Sequence, residues 1–173
     1  ARDNPSRPEL LLPAGSFDAG LAAIEGGADA LYFGFADFSA RKAARNLDAL
    51  EYRRLLRFAR DRGLALYAAI NTVILETELP ALAELLAFLG AFPPDAVIIQ
   101  DWGLARLIKA RHPGIAIHAS TQTAIQGPAA ARIALELGAS RLVLPRETSL
   151  EAMGRLHAEL PELELEAFAH GAL

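Results

Sequence analysis

Seven short apolar runs recur along the chain, at residues 9–13, 30–34, 65–71, 96–100, 115–120, 141–145 and 164–170. Between them lie segments whose apolar residues fall at i, i+3, i+4 and i+7. Tyr52, Leu55, Leu56 and Ala59 form one such set, and Leu79, Leu82, Leu86 and Leu89 the next. Leu104, Leu107 and Ile108, then Ala130, Ile133, Ala134 and Leu137, continue the series. This spacing gathers apolar side chains into one stripe of a helix, suited to covering a sheet. The breaks agree: Gly26-Gly27, Gly63 and Gly138 follow predicted helix ends, where a left-handed residue costs least without a Cβ. Asp48 with Glu51, and Thr148 with Glu151, read as capping boxes at helix starts.

Strict alternation of strand and helix predicts parallel strands joined by right-handed crossovers. Two architectures satisfy it. A doubly wound open sheet ordinarily carries a glycine-rich phosphate loop after its first strand. Here that loop is Pro13-Ala14-Gly15-Ser16, which matches neither G-x-G-x-x-G nor G-x-x-x-x-G-K-S/T. A barrel has eight strands, and seven are visible, several of them ending in polar residues as a barrel mouth does. The reading adopted is an α/β fold of TIM-like (β/α) barrel type with seven of its eight strands. The barrel occupies residues 9–173, after a flexible leader at residues 1–8.

Composition narrows the functional classes. The chain has 173 residues, 53% apolar and 22% charged, the balance of one globular domain with a substantial core. No apolar run approaches the roughly 20 residues that span a bilayer. The proline-punctuated start, Ala1-Arg2-Asp3-Asn4-Pro5-Ser6-Arg7-Pro8, lacks the apolar centre of a signal peptide. A cytoplasmic protein without membrane contact is therefore expected. Net charge is −4, from 17 basic and 21 acidic residues. That argues against a broadly basic nucleic-acid surface, though not against a local patch. Cysteine is absent, so this chain alone forms no disulfide, thiolate metal site or iron–sulfur cluster. No metal ligands are assigned within it.

In a β/α barrel the reacting groups stand at the C-terminal ends of strands. Those ends here carry Asn71-Thr72, Gln100-Asp101, His118-Ala119-Ser120-Thr121-Gln122, Arg146-Glu147 and His170-Gly171. Alternation along the last run puts Glu164, Glu166, Phe168 and His170 on one face, and Leu165, Ala167 and Ala169 on the other. Helices cover the outside of a barrel, so the polar face is expected inside. An unpaired carboxylate there is expensive, and Arg146 is the candidate partner for Glu166. His118, Ser120 and Gln122 share a face by the same logic.

Each residue has a plainer reading. His118 and His170 fit histidines hydrogen-bonded to neighbouring strands. Asp101 and Glu147 fit first-turn residues favoured by a helix dipole, and Asn71 and Ser120 fit loop caps. Arg53, Arg57 and Arg60 oppose the apolar stripe of their helix and read as a solvated face. Arg41, Lys42 and Arg45 fit either anion binding or a solvated loop. Neither H-E-x-x-H nor G-x-S-x-G occurs, so zinc-protease and serine-hydrolase spacings are missing.

Several stretches carry a resemblance. Pro8-Glu9-Leu10-Leu11-Leu12-Pro13-Ala14-Gly15-Ser16 is similar to the opening of the collagenase-like peptidase family U32. So are Gly26-Gly27-Ala28-Asp29-Ala30-Leu31-Tyr32-Phe33-Gly34 and Phe38-Ser39-Ala40-Arg41. The likeness continues through Asn71-Thr72, Gln100-Asp101, His118 to Gln122, and Pro145-Arg146-Glu147. It closes on Glu166-Ala167-Phe168-Ala169-His170-Gly171-Ala172-Leu173, which resembles the first part of a signature that continues into cysteines.

The family implies two activities. Its name states a peptidase; other members resemble oxygen-independent hydroxylation factors for transfer RNA, ribosomal RNA or a quinone precursor. The latter hold an iron–sulfur cluster on cysteines, and in the RNA cases prephenate is the apparent hydroxyl source. The residues favour hydroxylation of RNA, with a peptidase and a non-catalytic binding module as alternatives. His118, His170 and Glu166 are the candidate catalytic groups. Arg41, Asn71, Gln100, Asp101, Ser120, Gln122, Arg146 and Glu147 are the candidate substrate-binding groups, with RNA or a small anionic metabolite as partner. The cluster is expected on cysteines beyond Leu173, so the chain by itself is expected to be inactive. With its outer strand edges open it is also expected to associate with further copies.

Overall fold

A computed structural model describes residues 7–35, 37–40 and 47–170. Seven strands form in the order of the sequence: β1 (Leu11–Pro13), β2 (Ala30–Gly34), β3 (Ala65–Ile70), β4 (Ala96–Ile99), β5 (Ala116–Ala119), β6 (Arg141–Val143) and β7 (Glu164–Glu166). The helices between them are α1 (Phe17–Glu25), α2 (Ala49–Asp61), α3 (Leu79–Ala91), α4 (Trp102–Arg111), α5 (Pro128–Glu136) and α6 (Leu150–Glu159). The strands make one sheet in the order β1 to β7. The β1–β2, β2–β3, β5–β6 and β6–β7 pairs are parallel. This is the TIM-like β/α architecture, and every apolar run contains its strand.

The chain divides into two compact units, Ala1–Val97 and Ile98–Leu173. In the first, helix α2 behaves as its periodicity predicts: Tyr52, Leu55, Leu56 and Ala59 are all buried. Tyr52 packs its ring 5.0 Å from that of Phe33 on β2 and donates its hydroxyl to the Phe92 carbonyl. Burial raises the Tyr52 pKa, because the phenolate would lose its water. Helix α1 approaches α2 at Gly20, where a Cβ would stand 2.7 Å from Leu55 Cδ1; that contact explains a glycine inside a helix. Asp48 caps α2, accepting from Leu50 N and Glu51 N at 2.8 Å each. Gly63 ends the segment at φ +69°, a conformation side chains rarely adopt.

The arginine stripe of α2 is exposed but not merely solvated. Arg53 lies over the Phe92 ring at 4.5 Å, and Arg60 donates to the Pro93 carbonyl at 2.8 Å. Arg7, in the stretch read as a leader, grips Asp29 through both guanidinium nitrogens at 2.8 and 2.6 Å. Asp29 also accepts from Leu10 N at 2.9 Å. That backbone bond and then Arg7 hold the Asp29 carboxyl below its ordinary pKa.

In the second unit the two strand faces differ in chemistry. Ile117, Ala119, Leu142, Leu144 and Leu163 are buried. His118, Arg141, Glu164 and Glu166 take the opposite parity.

Two expectations change here. The seventh strand stops at Glu166 rather than His170. Leu144 N still donates to Glu166 O at 2.8 Å, but the chain then turns at Pro145, whose carbonyl accepts from Thr148 N at 3.0 Å. The turn carries β6 away, so β7 has no neighbour to ladder with beyond that point. The cap of α6 is Ser149, not Thr148. Ser149 Oγ accepts from Ala152 N at 3.2 Å, and Glu151 pairs with Arg155 at 2.6 Å instead of reaching back.

Candidate functional site

Register sets the geometry of the second unit. His118 on β5 faces Arg141 on β6, and Arg141 faces Glu164 on β7. Val143 and Glu166 are the next matched pair on the same face. Arg141 binds Glu164 Oε2 through Nη2 at 2.6 Å and Nε at 2.8 Å. Its Nη1 lies 3.6 Å from Glu166 Oε2, an ion pair too long for a hydrogen bond. One guanidinium therefore serves both carboxylates. The side chain of Arg141 is only 12% exposed, against 20% for Glu166 and 63% for Glu164. Arg141 is thus a partner of Glu166, in place of the expected Arg146.

His118 is buried, and its pKa falls to about 3. Burial is the larger cause and the Arg141 charge the second, both disfavouring the imidazolium. Near neutral pH His118 is a neutral imidazole able to donate or accept a hydrogen bond, and it does not store a proton. Arg141 and Glu164 open their strands, at the end of a barrel associated with stability. Glu166 closes β7, at the end where barrels place chemistry. Arg141 links the two levels.

At the C-terminal ends of these strands the remaining candidates fall into small groups. Gln100 Nε2 donates to the Gln122 carbonyl at 3.4 Å. Asp101 caps α4, accepting from Gly103 N at 2.7 Å and Leu104 N at 3.2 Å. Ser120 is 2% exposed, and its hydroxyl accepts from Gln122 N at 3.3 Å. Glu147 accepts from Gln126 Nε2 at 3.2 Å. Arg146 lies over the Phe168 ring, Cζ 4.4 Å from its centroid. His170 stands past the end of β7 and is exposed, so the strand parity that put it inside does not reach it. In the first unit Asn71 Oδ1 accepts from Ala40 N at 3.1 Å, and Thr72 donates to the Phe38 carbonyl at 3.4 Å. Arg41, Lys42 and Arg45 lie outside the described residues.

The residue missed in the sequence is Arg141. Its signal was present: a charged residue opens the apolar run Arg141-Leu142-Val143-Leu144-Pro145, with the parity of Val143 rather than of the outward leucines. Among the described residues no group of three or more His, Cys, Asp or Glu side chains is placed to hold a metal ion. None of the described helices is long and apolar enough to cross a membrane.

Comparison with known proteins gives this arrangement a family. The model for Peptidase family U32 matches residues 15–173. A tRNA hydroxylation protein P of Helicobacter pylori is 36% identical over 166 residues, covering 95% of this chain and 39% of that protein. An uncharacterised protease of Methanocaldococcus jannaschii is 34% identical over 169 residues, covering 95% and 41%. A 23S rRNA 5-hydroxycytidine synthase of Escherichia coli is 35% identical over 167 residues, covering 96% and 25%. The chain therefore spans about two fifths, or less, of the length of these relatives. Among solved structures a U32 peptidase superposes with a TM-score of 0.76 at 17% identity, over 95% of this chain and 70% of that one. At that identity the structural likeness speaks for the fold. The match to the family model, covering nearly all of the sequence from Gly15 onward, speaks for descent: the chain belongs to peptidase family U32.

Proposed function

We propose that this chain is the barrel portion of an oxygen-independent RNA hydroxylation enzyme acting on transfer or ribosomal RNA. The observation that carries the reading is the near-complete match, at 35–36% identity, to relatives named for hydroxylation of each kind of RNA. The site geometry supports it. Ser120, the hydroxyl on the same face as His118, is buried and engaged with the backbone of its own turn, a poor position for a nucleophile.

Hydroxylation without oxygen needs redox chemistry that side chains of this set do not supply. An iron–sulfur cluster would supply it, and its thiolate ligands must come from outside these residues, since the chain has no cysteine. The chain's own contribution is then to present RNA and an anionic hydroxyl donor.

A peptidase is the second reading, favoured by the family's name and by the Methanocaldococcus relative. Mass spectrometry of nucleosides from a strain lacking the gene separates the two. Loss of one hydroxylated nucleoside, restored by the intact gene, is expected. An unchanged nucleoside profile, together with gelatin cleavage by the purified protein, would overturn the RNA reading.

A further inference from the structure

Phe168 is the only aromatic residue among the large hydrophobics left exposed in the described chain, with 39% of its surface open. A lone exposed apolar side chain is ordinary; what sets this one apart is its place and its neighbour. It follows the C-terminal end of β7, where a β/α barrel presents its working groups. It is also not bare. The Arg146 guanidinium, itself exposed, sits 4.4 Å from the ring centroid, within cation–π range. A ring has two faces, and the cation occupies one of them.

We propose that Phe168, backed by Arg146, is a stacking platform for an unpaired nucleobase of the RNA substrate. This deepens the RNA reading above and rests on it. Unpaired bases are bound by stacking on aromatic rings and guanidinium planes. The mode suits a chain of net charge −4, which lacks the broad positive field that grips phosphates along a duplex. It also assigns Arg146 a role that its expected pairing with Glu166 would have precluded: Arg141 meets that carboxylate, leaving Arg146 to the ring.

The test uses the full-length protein. Trp102 is the only tryptophan in this sequence, so Phe168→Trp combined with Trp102→Phe, and with any tryptophan outside it replaced, leaves one indole at the platform. Bulk transfer RNA is titrated against its emission, with binding followed in parallel by the anisotropy of labelled transfer RNA. Uridine monophosphate and gelatin form the comparison arms. Expected are quenching that tracks RNA binding, and quenching by the mononucleotide only at far higher concentration. Phe168→Leu, which keeps apolar bulk without the ring, should weaken RNA binding about 5- to 150-fold, the range that stacking one base provides. Phe168→Tyr should bind as the parent does, and melting temperatures confirm that both variants fold.

RNA binding without quenching, and unaffected by Phe168→Leu, would overturn the platform while leaving the RNA reading standing. Failure of the parent protein to bind RNA would overturn both. Quenching by gelatin and not by RNA would reassign the ring to a peptide.

Discussion

Arg141 shows how much one side chain on an inner strand face determines. Its guanidinium is nearly desolvated and shared between Glu164 and Glu166. Replacement by Leu removes the Arg141 charge from Glu166, which is mostly buried, while Glu164 can turn to water. Full loss of a buried partner costs about 3–5 kcal/mol. The exposure of Glu164 discounts that, so urea denaturation of Arg141→Leu should show about 1–3 kcal/mol. Arg141→Lys should fall between it and the parent, because an ammonium lacks the fork that reaches two carboxylates. His118 answers to the same cation. Among the described residues of the two strands beside it, the charged groups of the same parity are Arg141, Glu164 and Glu166. Its folded pKa of about 3 lies below the ordinary value of 6.5, so the unfolded chain binds the extra proton first. The stability it contributes is therefore complete above pH 6.5 and falls as pH drops towards 3. By linkage the loss at pH 5 is about 2 kcal/mol. Thermal melts at pH 7 and pH 5 should converge in His118→Gln relative to the parent; an unchanged acid sensitivity would remove His118 as its source. Sequence reasoning reached the need for a partner at Glu166 but chose the wrong arginine. It followed position near the strand end, whereas parity along 141–145 already separated Arg141 from its outward neighbours.

Helices α2 and α6 begin with the same pattern, an Asp or Thr followed three residues later by Glu, and only in α2 does the first residue of the pair cap the helix. Asp48 has no competitor, and its carboxylate takes two backbone donors. At α6 the neighbouring Ser149 takes the cap, and the Thr148 hydroxyl is buried with no hydrogen-bond partner among the described residues. The pattern marks a helix start to within one residue, and the local turn at Pro145 decides which residue is used. The consequences differ in sign. Asp48→Ala and Ser149→Ala should each cost about 1 kcal/mol. Thr148→Val should be neutral or stabilising, since it removes a buried polar atom that gains nothing in return. Equilibrium denaturation of the three variants checks the set, and a marked loss in Thr148→Val would show that its hydroxyl is engaged. The same turn explains why β7 is legible to Glu166 and no further. Alternation continues in the sequence through His170, but a strand needs a neighbour, and β6 has left.

Across the whole molecule the β/α architecture was readable because it is written redundantly, in seven apolar runs and the helical stripes between them. The proposed activity would be written in single residues, and the cysteines it calls for are not among these 173. A hydroxylase of the kind proposed needs thiolates to hold its cluster. None of the 173 residues is a cysteine, while the chain spans only about two fifths, or less, of its relatives. On that proposal its polar strand ends would orient substrate, and the reaction would need thiolates from outside these residues. Expressed alone, the 173-residue chain should stay colourless after anaerobic reconstitution with iron and sulfide, and it should fail to restore RNA hydroxylation in a deletion strain. The full-length protein should gain visible absorption, which its cysteine-to-serine variants lose, and its gene should restore the modified nucleoside. If the chain alone restored the modified nucleoside, the chemistry would have to reside in the groups described here, with Glu166 and the neutral His118 the first to examine. A cluster that forms without restoring the nucleoside would instead keep the cofactor and remove RNA as its substrate.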